Sequence, residues 1–143
     1  MNMLYKTLEV KVENLVATVT LNRPEVRNAF NEVLIAELTS VFTSLAIQDE
    51  VDLVVLAANG KSFCAGADLT WMKAMASYTY EENLADAQKL AKMLETMYRF
   101  PKPLIAKVQG DAYGGGVGLA AVCDIVVASE ETATIFTYSA KKN

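Results

Sequence analysis

Leu8-Glu9-Val10-Lys11-Val12-Glu13 alternates apolar and polar positions with a period of two, and Leu15 to Leu21 alternates again after Asn14. The pattern predicts a β-hairpin turning at Asn14. Asn22 to Asn28, with Arg23-Pro24 inside it, predicts a loop. Beyond it Leu34, Leu38, Val41, Phe42 and Leu45 recur at helical spacing, with Asn31 placed to cap the helix. Val51 to Ala58 is a valine-rich apolar run that suits a strand covered on both faces, and Asn59-Gly60-Lys61-Ser62 breaks it. A short helix is predicted from near Asp68. A longer one is predicted from Tyr80 to Tyr98, with Leu84, Ala87, Leu90, Ala91, Leu94 and Met97 on one face and Pro101-Lys102-Pro103 closing it. Leu104 to Val108 reads as a strand, Gly110 to Gly118 as a glycine-rich turn, Val117 to Val122 as a short helix and Ile125 to Ala128 as a further strand. A hairpin followed by alternating strands and helices is an α/β arrangement with a largely buried sheet. No repeat, low-complexity tract or linker divides it, so one domain is expected.

Composition narrows the function classes. A chain of 143 residues with 52% hydrophobic content can bury one core. Its apolar runs fall well short of the roughly 20 residues a bilayer span needs. Its first residues lack a basic region followed by an apolar one, so neither membrane segment nor export signal is expected and the expected location is cytoplasmic. The formal net charge of -4, with the basic residues dispersed, argues against a nucleic-acid partner. Cys64 and Cys123 read as reduced, small buried hydrophobes. The absence of histidine excludes Ser-His-Asp and Cys-His nucleophilic sites and His-based metal sites within this chain. No metal is expected. Chemistry must come from carboxylates, amides, hydroxyls or the backbone.

Two segments combine strand exit, small residues and the start of a helix: Phe63-Cys64-Ala65-Gly66-Ala67-Asp68-Leu69 and Tyr113-Gly114-Gly115-Gly116-Val117-Gly118-Leu119. Each leaves backbone N–H groups free at a helix start, and residues without bulk let a ligand approach them. Two such groups converging on one point would make an oxyanion hole. Read singly, each loop is an ordinary glycine turn; two of matching design favour the site. Asp68 reads first as a helix cap for Leu69-Thr70-Trp71-Met72. Gly60-Lys61-Ser62 fails as the end of a phosphate-binding loop because the glycine needed five positions earlier is Val55. Gly114 and Gly116 fail as a dinucleotide fingerprint because the third position is Leu119.

With Leu21-Asn22-Arg23-Pro24, Asn28-Ala29-Phe30, Lys102-Pro103, Gly110 and Cys123-Asp124-Ile125, these two loops resemble the enoyl-CoA hydratase/isomerase (crotonase) family. Each segment is short; their order and spacing cover the chain up to about Thr134. The resemblance implies a ClpP/crotonase core of repeated ββα units, here truncated. It also implies a coenzyme A thioester as ligand, no separate cofactor, and homo-trimers or hexamers. It places the two thioester-holding N–H groups at Ala67 and Gly115, flanked by Gly114 and Gly118. By the same mapping Val26, Arg27 and Ala29 line the coenzyme A channel, and Ala65, Gly66, Ala67 and Asp68 lie near its adenine and pantetheine. Arg27 then either approaches a phosphate or stands solvated. Leu69 counts among the substrate-binding residues, and Trp71 and Met72 face the acyl pocket, while a core or interface role fits Trp71 as well.

Hydratases of this family commonly carry a glutamate three residues beyond the oxyanion glycine, where this chain has Gly118. That departure, and the segment Leu69-Thr70-Trp71-Met72-Lys73, resemble a subgroup acting on branched, carboxylated substrates such as 3-methylglutaconyl-CoA. A second glutamate is expected shortly after Ala133-Thr134. The chain instead reads Ile135-Phe136-Thr137-Tyr138-Ser139-Ala140-Lys141-Lys142-Asn143, which divides it into a family-like part, 1–134, and a divergent tail, 135–143. That ending looks like a truncation or an altered reading frame. The reading is therefore an enoyl-CoA hydratase whose activity in this chain is impaired, with an isomerase of the same family or an inactive CoA-ester-binding fragment as rivals.

Overall fold

The computed structural model describes residues 3–132; the expected divergent tail and the position of the second glutamate lie outside them. The hairpin forms as the alternation requires, from β2 (Leu8–Glu13) and β3 (Val16–Leu21), paired antiparallel with Leu8 opposite Leu21. Asn14 and Leu15 turn it with φ of 54° and 67°, the left-handed pair whose twist suits a two-residue hairpin. A short β1 (Met3–Leu4) adds to its outer edge. Three parallel strands extend the other side, β4 (Leu53–Ala58), β6 (Leu104–Val108) and β8 (Ile125–Ala128), giving the order β1-β2-β3-β4-β6-β8. A second, two-stranded sheet pairs β5 (Ser62–Cys64) with β7 (Asp111–Ala112).

Helix α1 (Glu32–Leu45) buries Leu34, Leu38, Val41, Phe42 and Leu45, and Asn31 caps it by accepting from the Leu34 N–H at 2.9 Å. At its far end the Lys102 ammonium donates to the carbonyls of Leu45 and Gln48 at 2.7 and 2.6 Å, satisfying acceptors that a helix C-terminus leaves open. Helices α2 (Leu69–Met75), α3 (Tyr80–Tyr98) and α4 (Gly115–Ala121) follow. Thr79 and Glu82 close α3 with a reciprocal capping box.

Three expectations change. The strand expected from Val51 begins at Leu53, and only Val54 and Leu56 are fully buried while Leu53, Val55 and Ala57 are half-buried. Helix α1 packs over one side of the sheet, so the two faces are not equally covered. The core residues of α3 are Met93 and Met97, with Leu90 and Leu94 packed beside them, whereas Leu84, Ala87 and Ala91 are exposed. Only the second half of α3 lies on α1; the first half stands away from it across a groove of about 720 Å³ that runs past Trp71. Helix α4 starts at Gly115 rather than Val117, which makes Gly115 its first residue. Among the described residues, no helix is long and apolar enough to cross a membrane.

Candidate active site

The loop after β3 and the loop after β5 are joined along their length. Asn28, fully buried with φ of 57°, accepts from the Arg23 N–H at 2.8 Å and donates to the carbonyls of Asn59 and Ser62 at 2.9 and 3.0 Å. The Ala65 N–H donates to the Arg27 carbonyl at 3.0 Å. Phe30 and Ala67 form an isolated parallel bridge: Phe30 N–H donates to Gly66 O, and Asp68 N–H donates to Phe30 O, both at 2.7 Å. Asp68 then caps α2, accepting from the Trp71 N–H at 3.0 Å, and its other oxygen lies 3.2 Å from an Arg23 guanidinium nitrogen. The Trp71 hydrogen bond first, and then Arg23, hold the Asp68 carboxyl below its usual range against the opposing effect of burial.

This zippering decides where one free donor points. N–H groups alternate sides along an extended strand, and Gly66 O and Asp68 N both face Phe30. The Ala67 N–H therefore faces the other way, onto the exposed side. Gly115 is the first residue of α4, where an N–H has no partner within its helix. Neither N–H donates to an acceptor among the described residues. The two loops meet closely: a Cβ built on Gly66 would lie 3.4 Å from Gly115 N and 3.1 Å from Tyr113 O. Gly66, with φ of 91°, and Gly114, with φ of 52° and ψ of -120°, occupy backbone conformations that side chains resist. The ring of Phe30 backs Gly115, where an added Cβ would lie 2.8 Å from Phe30 Cε2.

Val26, Arg27, Ala29, Ala65, Ala67 and Asp68, assigned to coenzyme A by resemblance, line a single cleft of about 540 Å³, and Leu69 lines it with them. Gly66 lies behind its wall. Trp71 is outside that cleft: it is buried in the core and lines both the groove between α1 and α3 and an adjoining depression of about 350 Å³ shared with Arg23, Val26 and Asp68, and among the described residues its indole Nε1 has no hydrogen-bond partner. Helical spacing explains this, because Leu69 and Met72, 74% and 48% exposed, occupy the outward side of α2. Among the described residues, nothing lies within 4 Å of where a Gly118 side chain would stand. Lys61 escaped the sequence reading, which saw only a failed phosphate loop. It lines a second depression of about 400 Å³ together with Pro24, Arg27, Gly60 and Ser62. The signal was its position before β5, on the turn that faces Arg27.

Known proteins resemble this chain in sequence and in fold. The sequence pattern of the enoyl-CoA hydratase/isomerase family matches residues 11–142. A crotonyl-CoA hydratase of Syntrophomonas wolfei is 34% identical over 128 residues, which are 89% of this chain and 48% of the relative. The solved structure of an enoyl-CoA hydratase from Shewanella pealeana superposes with a TM-score of 0.86 at 41% identity, covering 89% of this chain and 48% of that one. One from Mycobacterium smegmatis gives 0.82 at 37% identity, covering 89% and 49%. The chain spans about half the length of the curated relatives it matches. Pattern, sequence relatives and superposed folds agree, and the chain belongs to the enoyl-CoA hydratase/isomerase family.

Proposed function

We propose that this chain carries the thioester-holding part of an enoyl-CoA hydratase, with the backbone N–H groups of Ala67 and Gly115 donating to the thioester oxygen. Water adds its hydroxyl to C3 and a proton to C2, and negative charge builds on that oxygen on the way. Donors fixed in advance stabilise this charge, and losing one typically costs about 3 kcal/mol. The observation that carries the reading is the close approach of the two loops that bear these N–H groups, with Gly66 held against Gly115 and neither N–H engaged among the described residues. The 540 Å³ cleft beside Ala67 would take the pantetheine and adenine, and Arg27 with Lys61 would meet the phosphates. Coenzyme A then enters as part of the substrate, with no separate cofactor.

The finer reading is a branched, carboxylated enoyl group such as 3-methylglutaconyl. It rests on the segment Leu69-Thr70-Trp71-Met72-Lys73, whose Leu69 and Met72 face outward, and on Gly118 in place of the usual glutamate. Hydration of crotonyl-CoA as fast as 3-methylglutaconyl-CoA would refute it. Assembly into a homo-trimer or hexamer belongs to the same proposal; exposed Ile125, Val126 and Val127 supply apolar surface for it.

Comparing a thioester with its thioether tests the donors directly. Butyryl-CoA should bind more tightly than S-butyl-CoA, which lacks only the carbonyl oxygen. Gly115→Pro removes the N–H at a first helical position, where proline is tolerated, and Gly115→Ala adds bulk there while keeping the N–H. The preference should vanish in the first variant and persist in the second. Equal binding of the two ligands by the wild type would refute the reading.

A further inference from the structure

Arg23 takes no part in the proposed chemistry, yet its side chain is only 16% exposed and both of its terminal guanidinium nitrogens have partners. One guanidinium nitrogen pairs with Asp68, whose side chain is 9% exposed, and the other donates to the Ala29 carbonyl. Asp68 directly follows Ala67, and Ala29 directly precedes Phe30, whose ring backs Gly115. A helix cap alone would need only the Asp68 oxygen that accepts from Trp71; the Arg23 contact to the second oxygen is additional.

We propose that Arg23 and Asp68 form a positioning pair that sets the direction of the Ala67 N–H relative to that of Gly115. One guanidinium ties the segment bearing the first donor to the segment supporting the second. The Phe30–Ala67 bridge holds the peptide flanking Ala67 at Gly66 O and Asp68 N. The ion pair blocks the remaining rotation at Asp68. Hydrogen bonds weaken steeply with angle, so loosening this pair reduces polarisation of a bound thioester more than it reduces coenzyme A binding, which is spread over the cleft.

The inference rests on the thioester-holding reading, and one experiment separates their failures. Butyryl-CoA labelled with carbon-13 at the carbonyl is bound to the full chain; affinity is read by calorimetry and carbonyl polarisation by difference infrared spectroscopy. The wild type should lower the carbonyl stretch, and no lowering there defeats both readings together. Arg23→Gln should lose about half or more of that lowering while its affinity falls by less than about threefold, and Arg23→Lys should regain part of it. Asp68→Asn keeps the acceptor for Trp71 and should lose proportionally more polarisation than affinity. It decides the question alone if Arg23→Gln does not fold by circular dichroism. Variants that keep the full lowering, or lose it in step with affinity, would overturn the pair's positioning role.

Discussion

Gly116 and Gly118 lie two residues apart in α4 and predict opposite effects of one substitution. Alanine in a helix interior is favoured over glycine by about 1 kcal/mol, and both variants restrict the unfolded chain equally. At Gly118 nothing among the described residues lies within 4 Å of the added Cβ, so Gly118→Ala should gain about 0.5 to 1 kcal/mol. At Gly116 the Cβ would overlap the Cys64 carbonyl oxygen and lie 2.9 Å from both the carbonyl carbon and the Cβ of Cys64. No rotamer change relieves contact with backbone. Cys64 is also held by pairing with Ala112 and by the Tyr113 N–H at 3.0 Å. Overpacking costs up to about 3 kcal/mol when neighbours cannot yield, so Gly116→Ala should lose about 2 kcal/mol after its propensity gain. Urea unfolding followed by circular dichroism measures both by linear extrapolation. Variants falling within about 0.5 kcal/mol of each other would show that α4 is free to lift off β5 and that the close approach of the two loops is not enforced.

Asn28→Ala should destabilise the chain by about 2 to 4 kcal/mol, because it strands the Arg23 N–H and the Asn59 carbonyl and leaves the Ser62 carbonyl with Gln109 as its remaining side-chain donor; a urea midpoint equal to wild type would contradict this. The lowered Asp68 carboxyl adds stability that is fully present above its unfolded pKa of about 3.9. That contribution is lost as the pH falls through the lower folded value. The stability gap between wild type and Asp68→Asn should therefore close on acidification, and a gap independent of pH would refute the assignment. Burial pushes the Cys64 thiol up to about 11, and burial with the neighbouring Asp124 charge pushes Cys123 up to about 12. At pH 8 iodoacetamide should label the native chain at least about a hundredfold more slowly than the unfolded one, and comparable rates would refute it.

Element order was legible because the apolar periodicities were long and the caps local. Asn31 and Asp68 cap where their spacing indicated, and β6, β8 and α3 run between the expected residues. Contacts distant in sequence were not legible. The buried face of α3 depends on which half of it meets α1, and that is fixed by tertiary packing, so spacing named Leu84 and Ala87 when Met93 was the core residue. Lys102 reaches back to the end of α1 across more than fifty residues, and no local pattern announces such a cap. Trp71 had two readings on sequence; its burial in the core follows from the side of α2 it occupies.

The short segments that marked the family turn out to be residues of the scaffold. Asn28 fastens one loop to β5, and Gly110 has room only for hydrogen where it meets the Lys61 carbonyl. Asp124 starts β8 by accepting from the Leu104 N–H at 2.8 Å while its own N–H donates to the Leu104 carbonyl at the same distance. The proposed chemistry uses main-chain donors at Ala67 and Gly115, positions whose side chains have nothing to contribute. A site built from the backbone leaves its trace in the residues that aim it: glycines where the chain must turn or pack closely, and buried polar side chains that hold loops in register. That is why a chain without histidine can still carry a legible site. It is also why Arg23, far from Ala67 in sequence, is the side chain whose loss should disturb the Ala67 donor most specifically.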